Sequence, residues 1–241
     1  MKPLQPALAS AALALLALPL PAGAAFHFSV IDELMTSYDG DPNVQFVEIR
    51  MLSGGQNLVD RTVLAAFDGS GSYQGDLLLL DANVTNAAAG TRWIMGTAAF
   101  ETVSGIQVDF QFTPGLVQGS GMVCWGAPEG IVPPVNPNSW DHDDPANYID
   151  CVAYGDYTGP NPLGGDPTPF DADGHSLARA TDTDDNATDF ACADPATPTN
   201  NDGDSADLAA TIPCPEPAAP LLLGAGALAL LVGGRARADR S

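Results

Sequence analysis

An all-β fold, two sheets packed as a sandwich, is what this sequence predicts, and three observations predict it. Short apolar runs repeat with a period of two, Gly, Pro, Asn and Asp punctuate them, and no long amphipathic stripe with a period of 3.6 appears. The clearest run is Ile106-Gln107-Val108-Asp109-Phe110-Gln111-Phe112, which alternates apolar and polar residues without a break, as a half-buried strand does. Seven further runs have strand length and composition: residues 26–32, 44–51, 58–67, 76–80, 92–95, 122–125 and 148–154. Turn formers such as Asp39-Gly40-Asp41-Pro42, Ser53-Gly54-Gly55 and Asp68-Gly69-Ser70-Gly71 separate them. Helix is least excluded at residues 84–89.

After Tyr154 the pattern changes. Residues 155–213 are dominated by Asp, Pro, Gly, Thr and Asn, with Leu163, Phe170, Leu177, Phe190, Leu208 and Ile212 as the available apolar anchors. This stretch is expected to be mostly loop, ordered by a few buried side chains and a disulfide. Cys124, Cys151, Cys192 and Cys214 are even in number, which fits two disulfides in an oxidising compartment. Of the three possible pairings, Cys124 with Cys151 and Cys192 with Cys214 is favoured, because each closes a loop poor in apolar residues. Each closure contributes about 3 kcal/mol by restricting the unfolded chain. Zinc is the rival reading of the thiols, but the sequence has no Cys-x-x-Cys or Cys-x-x-His spacing.

The two ends read as targeting segments. Lys2, the apolar residues 7–20 and Ala22-Gly23-Ala24 have the form of a cleaved signal peptide, residues 1–25. At the other end Pro215-Glu216-Pro217 precedes an apolar run, residues 218–232, extended to a transmembrane segment 218–234 by two glycines and followed by Arg235, Arg237 and Arg240. The arginines obey the positive-inside tendency, with the domain outside. This end resembles the PEP-CTERM sorting signal, residues 215–241, which exosortase-type transpeptidases recognise and remove. The resemblance implies an exported protein, held in the membrane through its C-terminal helix before processing.

With both ends set aside, the domain keeps Arg50, Arg61, Arg92 and Arg179 and no lysine, against 28 of the 30 acids, a formal charge of 4 − 28 = −24. A surface of that sign repels nucleic acid and anionic lipid. It suits solubility, divalent cations, or basic and neutral polymers.

Four segments resemble the lamin-tail domain. They are Phe46-Val47-Glu48-Ile49, Tyr148-Ile149-Asp150-Cys151-Val152-Ala153-Tyr154-Gly155, Gly174-His175-Ser176-Leu177-Ala178-Arg179, and Asp189-Phe190 with Thr197-Pro198-Thr199-Asn200. The family pattern is a strand ending in Val-Glu, a Val-Asp-x-Val-x-Tyr-Gly strand, a Gly-x-Ser-Leu-x-Arg turn and a closing Thr-Pro-Gly-x-x-Asn, and the order here agrees. A Leu-x-Gly-Trp element is missing, Thr199 replaces the closing Gly, and residues 124–145 form an insertion. The resemblance implies an immunoglobulin-like sandwich over residues 26–201, a linker at 202–214, a buried Leu177, an Arg179 that pairs an acid, and a role as an interaction module.

Enzyme-like and ligand-like signals stand beside this reading. Gly174-His175-Ser176-Leu177-Ala178 differs in its last residue from a nucleophile elbow, with Asp173 and His142 as conceivable partners, but its flanks supply neither the strand nor the helix the elbow needs. Asp182-Thr183-Asp184-Asp185-Asn186 and Asn201-Asp202-Gly203-Asp204 place carboxylates near alternate positions, so calcium at Asp182, Asp184 and Asp185 is the one cofactor expectation, although the EF-hand pattern is incomplete. Trp140-Asp141-His142-Asp143-Asp144 places a histidine among acids. Trp125, Trp140, Tyr154 and Tyr157 either stack on sugar rings or cap the sandwich, and capping is the preferred reading. The leading expectation is therefore a non-catalytic envelope or matrix module whose partners are an exosortase and a polysaccharide or cell-surface protein. A calcium-dependent or carbohydrate-binding module is the alternative, and a secreted hydrolase the second.

Overall fold

The structure is a computed structural model that describes residues 27–126 and 141–214. The expected signal peptide, the sorting signal with its membrane segment, and Trp140 lie outside the described residues. Among the described residues no helix is long and apolar enough to cross a membrane.

In chain order the elements are β1 (Ser29–Met35), β2 (Phe46–Met51), β3 (Val63–Asp68), β4 (Tyr73–Leu79), β5 (Arg92–Gly96), α1 (Ala98–Ser104), β6 (Phe110–Gln111), β7 (Gly121–Gly126), β8 (Tyr148–Tyr154), β9 (Ser176–Arg179), α2 (Asn186–Asp189) and β10 (Phe190–Ala193). One sheet has the order β10-β9-β1-β2-β5-β6 and the other β4-β3-β7-β8. All ladders are antiparallel except β5 with β6. The chain is mostly β in two sheets, as the period-two runs predict.

The principal core lies between the sheets. Ile31, Leu34, Val47, Ile49, Trp93 and Leu177 from the larger sheet meet Leu64, Val123, Trp125, Val152 and Tyr154 from the smaller one. Trp93 and Trp125 touch edge to face across the gap, with ring centroids 5.4 Å apart. Burying an aliphatic or aromatic side chain of this size contributes on the order of 1.5–3 kcal/mol. Both outer faces are covered as well. On the smaller sheet Val63, Ala65, Phe67, Met122, Tyr148 and the Cys124–Cys151 disulfide pack together. On the larger sheet Met35, Phe46 and Ile94 lie under Phe100 of α1, Val108, Ala196 and Leu208.

This double cover explains where sequence and structure part. Strands β1 and β7 are buried along their whole length, so they lack the alternation of a half-exposed strand. The alternating run 106–112, expected as one strand, forms a ladder at Phe110–Gln111 alone. Its period still governs burial, since Ile106, Val108 and Phe112 point inward. However, Asp109 replaces ladder partners by accepting the N–H of Ile94 (2.8 Å) through its side chain. The strand expected at 58–67 starts at Val63, because Arg61 takes a left-handed φ of 67° and the Thr62 hydroxyl closes a turn on Val59. Residues 84–89 are not helical, and the longer helix is α1, capped by the Thr97 hydroxyl and ended by Gly105 at φ 73°. Two strands, β9 and β10, arise inside the stretch expected to be loop. Ile212, expected as an anchor, is exposed.

Candidate functional site

Four of the segments singled out from the sequence converge on two buried polar clusters. The first joins the sheets. Arg179, at the end of β9, donates from Nη2 to Asp150 on β8 (2.5 Å), from Nη1 to Asp182 (2.9 Å) and Asp189 (3.3 Å), and from Nε to the Ile31 carbonyl (2.8 Å). Its guanidinium also lies 4.6 Å from the centre of the Phe190 ring. Asp150 accepts the Ile31 N–H as well (2.8 Å), so one ion pair ties β8 of the smaller sheet to β1 and β9 of the larger. Burial pushes the Asp150 carboxyl up to about 6, against the pull of Arg179. For Asp189 burial acts in the same upward sense, but the N–H and hydroxyl of Thr183 and the hydroxyl of Thr181 outweigh it and hold the group below its usual range.

The second cluster lies on the outer face of the larger sheet. Glu33 and Glu48 are cross-strand partners of β1 and β2, and a register shift between Ile31 and Glu33 adds Asp32 beside them. All three are buried. Asp32 accepts from Arg50 Nε (2.6 Å) and Arg92 Nε (2.7 Å), and Arg92 also reaches Glu48 (2.9 Å). Glu33 accepts from the Ser176 hydroxyl (2.5 Å) and the Thr197 N–H (3.1 Å), and Glu48 from the Thr199 N–H (2.5 Å). Three acids face two guanidinium groups, so protonating one carboxyl neutralises the cluster. Burial, then the Glu33 charge, pushes Glu48 up to about 9, and burial likewise raises Glu33.

These contacts locate the residues singled out from the sequence. Leu177 is buried and Arg179 pairs three acids. Ser176 is buried with its hydroxyl on Glu33. Asp173 accepts from Thr36 and from the Gly119 N–H (2.9 Å), and His175 contacts the Asp171 carbonyl (2.9 Å), so no Ser-His hydrogen bond forms there. His142 pairs with Asp76 (2.8 Å), whose other oxygen accepts from Tyr73 (2.6 Å). The expected calcium ligands do not converge. Asp182 is drawn to Arg179, Asp185 caps α2 through the Ala187 N–H, and Asp184 sits between them at a left-handed φ of 61°. Among the described residues no three His, Cys, Asp or Glu side chains are grouped to hold a metal ion. Trp125, Tyr154 and Tyr157 are buried, in line with the preferred capping reading and not with stacking on sugar rings. The second disulfide joins Cys192 of β10 to Cys214. The stretch 202–214 is fastened to the sandwich by that bond, by the Ala196–Leu208 bridge and by Thr211 on Gly174.

Sequence reasoning missed Glu33 and Asp32. The available signal was three acids, Asp32, Glu33 and Glu48, inside otherwise apolar strand runs. Comparison with known proteins finds no matching family model, no matching curated protein and no matching solved structure.

Proposed function

We propose that this chain is an exported, non-catalytic interaction or adhesion module of the lamin-tail type. It is sorted by an exosortase-type transpeptidase and placed at the cell envelope or in exopolysaccharide. The observation that supports this reading is the use made of its chemically competent side chains. Glu33, Glu48, Asp109, Asp150, Asp173 and Asp189 each accept at least one backbone N–H, and Ser176 and Arg179 complete the same braces. In this fold acids take the place of strand partners for irregular backbone, which gives a rigid, acidic sandwich with long surface loops. Two disulfides add to that rigidity and suit an oxidising compartment.

Intact-mass spectrometry of the protein recovered outside the cell tests the sorting step. The expected product ends near Pro215-Glu216-Pro217, and a chain still ending in Arg240-Ser241 would refute processing. Retention of the processed protein on exopolysaccharide from the same cells, compared with a neutral gel, tests the interaction role. Turnover of ester substrates lost in Ser176→Ala would overturn the non-catalytic reading.

A further inference from the structure

The sequence contains two Asn-x-Thr triplets, Asn83-Val84-Thr85 and Asn186-Ala187-Thr188, the pattern of an N-glycosylation acceptor. Each has an acid two residues before the asparagine, Asp81 and Asp184, so flanking charge does not tell them apart. The fold does.

Asn186 opens α2 and is 1 % exposed. Its Oδ1 accepts from the Ala153 N–H (2.9 Å) and from Asn161 Nδ2 (2.8 Å), while its Nδ2 donates to the Cys151 carbonyl (3.3 Å). A single carbon placed on Gly164 would already press on its side-chain amide. No sugar fits on that nitrogen. Asn83 sits on the surface, in the irregular segment between β4 and β5. Val84 is buried in the principal core and exchanges hydrogen bonds with Asn57, so Asn83 and Thr85 flank a fixed residue and both face outward. Asn83 Oδ1 accepts the Asp60 N–H (2.9 Å), and the Thr85 hydroxyl donates to Asn201 Oδ1 over a long 3.3 Å.

We propose that Asn83 is an N-glycosylation site of the folded protein and that Asn186 is not. The substrate class is an oligosaccharide carried on a polyprenyl diphosphate, delivered by a membrane oligosaccharyltransferase on the outer side of the membrane. Asn83 Nδ2 forms a bond to the anomeric carbon, the bond from that carbon to the diphosphate oxygen breaks, the polyprenyl diphosphate leaves with the electron pair, and a transferase base takes the amide proton. In the cell the step rests on the export reading, whereas its test does not.

The purified chain, with disulfides intact, is incubated with a detergent-solubilised bacterial oligosaccharyltransferase that reads Asp-x-Asn-x-Thr and its lipid-linked oligosaccharide, then measured by intact mass and peptide mapping. The folded chain is expected to gain one glycan, on the peptide containing Asn83. Asn83→Gln and Thr85→Ala remove it, and Thr85→Ser keeps it. After reduction and unfolding the same chain is expected to accept a second glycan at Asn186. No glycan at Asn83, in a chain whose Thr85→Ser variant is also unmodified, overturns the proposal. So does a glycan on Asn186 of the folded chain.

Discussion

The strand framework from β1 to β8 and the chain that follows it, residues 155–214, hold themselves together by different physics. The framework buries apolar side chains on both faces of its sheets, with Trp93, Trp125, Phe46 and Phe67 among its largest fully buried groups. The later chain offers Leu177, Phe190, Ala196 and Leu208 to that core and leaves Ile212 in solvent. It compensates with directed bonds. Arg179, Asp189, Thr197, Thr199 and the Cys192–Cys214 disulfide each pin a stretch of irregular backbone to a strand or to a neighbouring turn. Apolar packing tolerates many shapes, but a directed bond specifies one, so the later region is expected to fail in discrete steps when single polar groups are removed.

The largest such step is Arg179→Met. It leaves Asp150 and Asp189 buried without their cation, and breaking a buried pair from one side typically costs about 3–5 kcal/mol. Urea unfolding measures it, and adding Asp150→Asn should restore part of the loss. A cost below about 1 kcal/mol would mean that the two sheets do not depend on this pair.

Next in size is the Cys192→Ala, Cys214→Ala double variant, expected to lose about 2–4 kcal/mol through the freed loop. Limited proteolysis should then cut within residues 194–213 before any strand of the framework is lost. Simultaneous cleavage of both regions would show that they unfold as one unit and would erase the contrast.

The comparison also has a pH signature. Glu33, Glu48 and Asp150 have folded-state values raised above their unfolded ones. Raised carboxyls contribute stability that is present below the unfolded value and lost as pH rises through the folded one. For Glu48 that window runs from 4.5 to about 9, and for Asp150 from 3.8 to about 6. Asp189 is lowered, so its contribution runs the other way: it is present above the ordinary value of 3.8 and lost as pH falls below it. The unfolding free energy should therefore fall from pH 5 to pH 9, by at most about 1.4 kcal/mol per pH unit for each group inside its own window, and a series of urea titrations measures it. Glu48→Gln keeps the shape and removes the titration beside Asp32, Glu33, Arg50, Arg92 and the Thr199 N–H. An unchanged slope between pH 6 and pH 9 in that variant would show that Glu48 does not carry the pH dependence.

How much was legible in the sequence follows the same division. The run 148–154 is strand β8 over its full length, and 122–125 lies within β7, because both runs are rich in apolar residues and flanked by Gly and Pro in the sequence. The disulfide pairing was legible from the loops it closes. Strands β9 and β10 were not, because their partners are each other and β1, more than a hundred residues upstream of β9. The braces were hidden for the same reason. Glu33 meets Thr197 across a sequence separation of 164, and no local pattern records that meeting. Of the two clusters, the Arg179 side was anticipated, as something the resemblance in the Gly174–Arg179 segment implies. The Glu33 and Glu48 side was not, because nothing local shows that the outer face they occupy is covered by Thr197 and Thr199.

The smallest expected effect tests how far the framework depends on a single directed pin of its own. Thr97, 1 % exposed, accepts at its hydroxyl oxygen from the Phe100 N–H (3.2 Å) and the Gln45 N–H (3.2 Å) and donates to the Asn43 carbonyl (2.6 Å). One hydroxyl thus caps α1 and fixes its start to the approach of β2. If the framework rests mainly on packing, Thr97→Ala should cost about 1 kcal/mol, the usual loss of an N-cap. Phe100 remains packed on Phe46, with ring centroids 4.8 Å apart, and keeps α1 in place. Thr97→Ser should recover most of that loss, because it retains the oxygen and gives up a methyl group. A loss near 3 kcal/mol in Thr97→Ala, with the Ser variant intact, would show that the framework too is specified by single polar pins.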